Sequence, residues 1–145
     1  MVRKSELAEE AWTAFVGTMQ HFQDSFLAAA RDLDLNPGEL KTLQLLAHEP
    51  QPMGAIARHL RCDASNVTWL ADRLEERGLA ERRPDPDDRR VKTLALTPAG
   101  RAAQHRSHAR MHAPPEQLLA LSAAELRTLR DLLQRCLEQP TPGEG

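Results

Sequence analysis

Apolar residues recur at steps of three and four along residues 6–33, a stretch without proline. The stripe consists of Trp12, Phe15, Met19, Phe22 and Phe26. Because this spacing places the side chains on one helix face, it predicts a long amphipathic helix. Four of the chain's five aromatic residues lie on that face. We interpret it as a core or dimer seam or as the wall of a small-molecule pocket, and the two functions can overlap.

Three further helices are predicted between residues 36 and 78. Asn36 suits the cap of a helix starting at Pro37 or Gly38, and Pro50 and Pro52 end that helix. The stretch MGAIARHL predicts a short third helix. After the turn RCD, Asp63 can cap a fourth helix that ends at Gly78. The expected buried positions are Leu40, Leu43 and Leu46 or Ala47, then Ile56, Ala57 and Leu60, and then Val67, Leu70, Ala71 and Leu74. Two short helices joined by a tight turn predict a helix-turn-helix.

The next stretches, LAERR and VKTLALT, alternate apolar and polar residues, which is the period of a β-strand. The segment PDPDDR between them predicts a turn. A β-hairpin directly after the fourth helix makes a winged helix.

Two helices are predicted after the hairpin. Thr97 can cap a fifth helix with Pro98 in its first turn, running to about His112, where APPEQ interrupts it. Ser122 and Glu125 have the spacing of a capping box before a last helix that carries a leucine stripe.

The predicted fold is therefore mainly α with a small β-hairpin wing, within a single domain covering residues 1–145. A winged helix-turn-helix at residues 36–97 would bind DNA, and long helices at residues 6–33 and 98–138 would mediate dimerisation. Residues 139–145 are expected to be a flexible tail. Pairing the terminal helices of two chains in a C2 homodimer would bury their apolar stripes.

Charge and cysteine content refine this picture. Residues 53–101 contain ten Lys and Arg against eight acids, whereas the rest contains nine against 13, so the middle is relatively basic. The N-terminus lacks the apolar core of a signal peptide, and no apolar run is long enough for a membrane span. Two cysteines far apart, Cys62 and Cys136, are expected as free thiols. We therefore expect a cytoplasmic protein that does not bind membranes.

The stretches ASNVTWLADRLEERGL and DPDDRR…LALTPAG, with the helix order over residues 6–138, resemble the MarR family of dimeric winged-helix transcriptional regulators. The resemblance implies a sequence-specific double-stranded DNA-binding homodimer, usually a repressor, that small phenolic or lipophilic molecules release from its operator. Two features depart from the family pattern. Arg61 and Cys62 occupy a turn where glycine and an aliphatic residue are common, and Trp69 replaces a smaller or polar residue. The N-terminal helix has no cysteine, so the likeness does not extend to the peroxide-sensing branch.

Candidate DNA contacts follow from the fourth helix. Its buried stripe directs Ser65, Asn66 and Thr68 outward near the N-terminus, where recognition helices present side chains to base edges. Arg73, one turn later, is expected to contact phosphate. Trp69 would either contact a sugar or thymine methyl or pack under the wing.

The wing supplies the second set of candidate contacts. Arg89 or Arg90 is expected to enter a minor groove, while the other pairs with Asp88 or a phosphate. Asp88 would thereby orient an arginine, and Lys92 completes the set of candidate DNA contacts.

Candidate effector contacts lie at the junction of the first, second and fifth helices. The residues are Trp12, Phe15, Met19, Phe22 and Met111. A ligand wedged there would favour a dimer whose spacing no longer fits DNA.

Three other readings remain open. His105, His108 and His112 share a helix face and could serve a metal sensor, although we expect no cofactor and no metal site. Cys62 could be a redox switch, since Arg61 nearby would favour the thiolate. A winged helix can also be a protein-interaction module. The sequence lacks phosphate-loop, nucleophilic-serine and metal-protease motifs, so we expect no enzyme.

Overall fold

The computed structural model describes residues 3–138. The tail predicted for residues 139–145 lies outside this range. The described elements are α1 (Lys4–Asp32), α2 (Pro37–Leu45), β1 (Gln51–Pro52), α3 (Met53–Leu60), α4 (Ala64–Glu76), β2 (Ala80–Pro84), β3 (Lys92–Leu96), α5 (Pro98–Met111), α6 (Glu116–Leu119) and α7 (Ala123–Glu138). The predicted fold class, mainly α with a small β wing, is confirmed.

Two compact units divide the chain between His112 and Ala113. The first contains α1 to α5 and the sheet, and the second contains α6 and α7. The boundary falls at the segment with Pro114 and Pro115, where the sequence predicts that a helix must break. In the second unit, Ser122 Oγ accepts a hydrogen bond from Glu125 N at 3.3 Å, and Glu125 Oε2 accepts one from Ser122 N at 2.8 Å. The predicted capping box of the last helix is therefore present.

The core of the first unit lies between the helices α2, α3 and α4 and the sheet. Its fully buried large side chains include Leu40, Leu43, Leu46, Ile56, Val67, Leu74 and Leu94. The α4 positions predicted to be buried are all buried in the structure. Period-3.6 apolar stripes therefore locate this core correctly.

The sheet has three antiparallel strands in the order β1-β3-β2. The predicted hairpin is β2 and β3, paired from Ala80 opposite Leu96 to Pro84 opposite Lys92. The sequence analysis did not predict β1, which pairs Gln51 with Leu94 and Pro52 with Thr93. A two-residue strand containing proline lacks any alternating pattern, so tertiary pairing alone creates it.

Side-chain caps fix the helix starts as predicted. Asn36 Oδ1 accepts a hydrogen bond from Glu39 N at 2.9 Å, and Thr97 Oγ1 accepts one from Gly100 N at 3.0 Å. The tight turn after α3 uses Arg61 in the left-handed conformation, with φ 52° and ψ 47°. A non-glycine residue there costs about 1 kcal/mol, which explains why the resemblance led us to expect glycine in this turn.

No helix in the described part of the chain combines the length and apolar character needed to cross a membrane.

Candidate nucleic-acid interface

The N-terminus of α4 is held in place by Asp63. Its Oδ1 atom accepts hydrogen bonds from Asn66 N at 2.8 Å and from Ser65 Oγ at 2.7 Å. The Ser65 hydroxyl, followed by backbone N–H groups, lowers the pKa of the Asp63 carboxyl, because these donors stabilise its charged form. The first turn of α4 is thus a fixed platform with an ionised cap.

Three predicted base-reading side chains, Ser65, Asn66 and Thr68, are exposed on α4. Thr68 Oγ1 donates to Ala64 O at 3.0 Å, so its remaining capacity is to accept. Within residues 3–138, the Asn66 side-chain amide makes no hydrogen bond and retains both donor and acceptor groups. This arrangement suits a bidentate contact with adenine.

Arg73 has carboxylate partners in the structure. Its Nε atom lies 3.4 Å from Oε1 of the buried Glu39, and its Nη1 atom donates to Glu76 Oε2 at 3.1 Å. The phosphate contact expected for Arg73 stays a prediction, since its guanidinium already joins α4 to α2.

Trp69 is 49% exposed. It lines a cavity with residues of the α1–α2 segment and Arg73, and no wing residue lines this cavity. The structure thus places Trp69 on the side of α4 that faces α2.

The wing tip is organised by Asp85, a residue that the sequence analysis did not single out. Its Oδ1 atom accepts backbone hydrogen bonds from Asp87 at 2.8 Å and Asp88 at 3.2 Å. Asp85 N also donates to Val91 O at 2.9 Å, which closes the turn. Aspartate side chains often accept a hydrogen bond from the backbone N–H two residues on, and Asp-Pro favours the start of a turn, so Asp85 before Pro86 could have been identified from the sequence.

The two tip arginines differ in their partners. Arg90 pairs with Asp88, with Nε to Oδ1 at 3.0 Å and Nη2 to Oδ2 at 3.1 Å. These hydrogen bonds lower the pKa of the Asp88 carboxyl and raise the pKa of Arg90. Among the residues that the structure describes, Arg89 has no side-chain hydrogen bond or ion pair. Lys92 is exposed at the start of β3.

Arg82 connects the wing to α4 and was also missed by the sequence analysis. Its Nη2 atom donates to Asp72 Oδ1 at 2.7 Å, and its Nη1 atom donates to Glu75 Oε2. Glu75 Oε1 further accepts from the backbone N–H of Arg82 at 2.7 Å. Burial disfavours the charged guanidinium, but the two carboxylates outweigh this effect and raise the pKa of Arg82.

Sequence periodicity contained a signal for Arg82. Ala80 is buried, and side chains two residues apart on a strand share a face, so Arg82 faces the same side.

The predicted effector residues are divided between the surface of α1 and the core of the first unit. Four of them are exposed along α1, namely Trp12, Phe15, Met19 and Phe22, whereas Met111 is buried in the core. The aromatic rings of Trp12 and Phe15 lie 5.7 Å apart, and Phe22 meets His112 edge to face at 5.8 Å. None of the five lines either of two cavities found elsewhere in the first unit.

The sensing alternatives also have structural positions. The rings of His108 and His112 stack at 3.9 Å. Within residues 3–138, no group of three or more His, Cys, Asp or Glu could hold a metal ion. Cys62 is a half-buried free thiol in the turn before α4.

A capped outward-facing helix, a preceding helix at a tight turn, and a three-stranded sheet ending in an arginine-bearing tip define a winged-helix DNA-binding fold. The sequence profile of the MarR family matches residues 35–92, which cover α2 to the start of β3. A candidate transcriptional regulatory protein for the hcr operon of Thauera aromatica is 32% identical over 146 residues. That alignment covers 93% of this chain and 88% of that protein.

Solved structures share the fold. The YusO protein of Bacillus subtilis is 24% identical with a TM-score of 0.73, covering 96% of this chain and all of that one. A mutant of S. aureus MepR bound to an oligodeoxyribonucleotide is 21% identical with a TM-score of 0.65, covering 87% of this chain and 95% of that one.

The chain belongs to the MarR family and is a transcriptional regulator with a DNA-binding fold, not an enzyme.

Proposed function

We propose that the protein is a homodimeric repressor that binds a pseudo-palindromic operator and is released from it by a small aromatic ligand. The observation that carries this proposal is the outward row of Ser65, Asn66 and Thr68 at the rigidly capped start of α4. Recognition helices present such N-terminal residues to base edges in the major groove. Asn66 is the main candidate for reading adenine because its amide is unoccupied among the described residues.

The wing would contact the DNA beside the groove that α4 enters. Arg89 is the candidate for the minor groove, since Arg90 is held by Asp88. Lys92 at the base of the tip would neutralise a phosphate. Asp88 would act as the orienting residue by restricting the rotamers of Arg90.

Dimerisation is supported by apolar surface that a single chain leaves uncovered. In α1 these exposed side chains are Leu7, Trp12, Phe15, Val16, Met19, Phe22 and Leu27, and in α7 they are Leu132, Leu133 and Leu137. Stripes of this size are rare on monomers and typical of subunit interfaces. We therefore assign α1 and α7 to the interface between two copies.

Selection of bound DNA from a random duplex pool tests the proposal. We expect an enriched pseudo-palindrome whose half-site centres lie about one helical turn apart, roughly 34–36 Å. Binding to the selected site should weaken steeply as salt rises, because phosphate neutralisation releases counterions. Recovery of no common sequence would contradict the proposed repressor and favour a protein-interaction module.

The wing assignment predicts unequal effects of two adjacent substitutions. Arg89→Ala should weaken binding to the selected operator about tenfold, on the order of 1–2 kcal/mol for a lost DNA contact. Arg90→Ala should weaken it less, about threefold, since that side chain acts mainly within the tip. Mobility shifts at fixed salt give both values, and Arg106→Ala on the exposed face of α5 is the matched control. Equal affinity of all four proteins would refute the assignment of the wing.

For the effector, we propose that the α1 aromatics form their pocket only together with a partner copy. Trp12, Phe15, Met19 and Phe22 would supply the wall, with Met111 behind it. A ligand there can act only through different affinities for the DNA-bound and released arrangements. Competition of a broad aromatic panel against labelled operator measures this, and no displacement by any compound would count against it.

A further inference from the structure

A cavity of about 590 Å³ lies beside α4, and none of its lining residues belongs to the wing. Its walls come from the end of α1, the start of α2 and the middle of α4. The charged and polar lining residues are Arg31, Asp34, Asn36, Glu39, Trp69 and Arg73. This cavity is separate from the effector pocket proposed above, because none of the α1 aromatics lines it.

The cavity contains a buried acid with unequal oxygens. Glu39 is 2% exposed. Its Oε2 atom accepts a hydrogen bond from Asn36 N at 2.7 Å, whereas Oε1 has no hydrogen-bond donor in the described part of the chain. Buried carboxylate oxygens normally have a donor, because leaving one without it is unfavourable. Glu39 Oε1 is therefore a strong acceptor without a directed partner.

Arg73 balances the charge of Glu39 without satisfying this acceptor. Its Nε atom lies 3.4 Å from Oε1, which is within the range of an ion pair but makes no hydrogen bond. The same guanidinium donates to the exposed Glu76 at 3.1 Å. Because Arg73 meets Glu39 Oε1 in an ion pair without a hydrogen bond, a group with directed N–H donors can replace it there.

Trp69 supplies the second half of a ligand site. Its indole is 49% exposed and lines the same cavity as Glu39 and Arg73. An indole face attracts flat cations, and the attraction grows where water is partly excluded. A flat group lying on Trp69 could direct N–H donors at the buried carboxylate.

We propose that this cavity binds a planar aromatic amidinium, or a similarly flat cation with paired N–H donors. Its amidinium takes the place of the Arg73 guanidinium at Glu39, and its ring lies against Trp69. Paired N–H donors match a carboxylate better than the ion pair seen with Arg73. An anion would have to lie beside the buried Glu39, and Arg31 and Arg73 are the lining groups that would favour it.

Three compounds of equal shape test the proposal in a Trp12→Phe background, in which Trp69 is the sole tryptophan. Benzamidine should change the Trp69 fluorescence saturably, with a Kd on the order of 1 mM for a ligand of this size. Benzamide, which keeps N–H donors without the charge, should bind about fivefold more weakly. Benzoate should give no saturation. Equal binding of benzoate, or a linear response to all three, would overturn the proposal.

Two substitutions should move the benzamidine affinity in opposite directions. Glu39→Gln keeps the capping box, because glutamine serves at that position, and should weaken binding about tenfold. Arg73→Ala vacates the place beside Glu39 and should strengthen binding at least threefold. If that variant is unstable alone, benzamidine should raise its Tm more than that of the parent protein.

The matched control is Glu49→Gln, the same chemical change at an exposed residue outside the cavity. Its benzamidine affinity should stay within twofold of the parent. Unchanged affinity in Glu39→Gln, or weaker binding in Arg73→Ala, would show that benzamidine does not occupy this site. These measurements involve no DNA, so they are independent of the proposed repressor function.

Discussion

Replacing Gly100 with alanine should destabilise the first compact unit, which contains the winged helix, by about 3 kcal/mol or more. This value is at the upper end of the range for overpacking. Gly100 lies in the first turn of α5, and a Cβ atom there would be 1.7 Å from the carbonyl oxygen of Leu79 and 2.8 Å from its carbonyl carbon. Both are backbone atoms, so no side-chain rotation can relieve the overlap. Because domains are stable by about 5–15 kcal/mol, such a loss is a large fraction of the total.

The contact is fixed from both sides, which is why the helix cannot shift away cheaply. Thr97 N donates to the same Leu79 oxygen at 3.2 Å, and Thr97 Oγ1 donates to Gly78 O at 2.5 Å. Gly78 itself has φ +67°, which ends α4 in a left-handed turn. One backbone and one side-chain hydrogen bond thereby join the start of α5 to the residues that follow α4.

Urea denaturation followed by circular dichroism measures this prediction, with Gly54→Ala as the control. A Cβ atom at Gly54 would have its nearest neighbour, the flexible end of Arg58, at 3.7 Å. Alanine there should be neutral or stabilise α3 by up to about 1 kcal/mol, because alanine has the higher helix propensity. Equal stability of the two variants would contradict the close approach of α5 to Leu79.

The order of elements and the main core were predictable because they depend on local patterns. The α4 stripe of Val67, Leu70, Ala71 and Leu74 is buried as its spacing predicts, and the caps at Asn36, Asp63 and Thr97 are all present. In each case the information is local, because it lies within one capping turn or along a single helix.

The features that the sequence did not reveal depend on contacts between distant segments. The strand β1 exists only because β3 pairs with it, and nothing in Gln51 and Pro52 indicates that pairing. Glu39 had a local signal, since it stands three residues after Asn36, but its burial against Arg73 joins two helices. The α1 side chains Trp12, Phe15, Met19 and Phe22 are exposed in a single chain, and we propose that a second copy covers them.

The candidate site shows the same limit at two adjacent arginines. Arg82 and Arg83 are the same type of residue at neighbouring positions, yet their side chains have different partners. Arg83 pairs with Glu81 on its own strand and is about half exposed, whereas Arg82 reaches Asp72 and Glu75 on α4. The difference arises because Arg82 lies on the same face of β2 as the buried Ala80, whereas Arg83 lies on the opposite face.

Arg82→Met should therefore lower operator affinity about tenfold or more and reduce the free energy of unfolding by about 1–3 kcal/mol. The loss of hydrogen bonds between charged groups sets the upper end of that range. The lower end allows for solvent screening, since the Arg82 side chain is 26% exposed. Methionine keeps most of the side-chain length, so the loss reflects charge and hydrogen bonds. Without the Arg82 hydrogen bonds to α4, the position of the wing relative to α4 is no longer fixed, so the two are not held in place for adjacent grooves of the DNA.

Arg83→Met is the matched control, and its stability should change by less than about 0.5 kcal/mol, as expected for an exposed ion pair. A double-mutant cycle with Glu75→Gln separates positioning from a direct DNA contact. If Arg82 acts through Glu75, the stability effects of the two substitutions should be coupled by about 1 kcal/mol, and the effects on operator affinity should not add. Additive losses of affinity would instead indicate that Arg82 contacts the DNA itself. In that case the salt dependence of the Arg82 variant should also fall by about one phosphate contact. Since its guanidinium donates to both α4 carboxylates, we expect the coupled result.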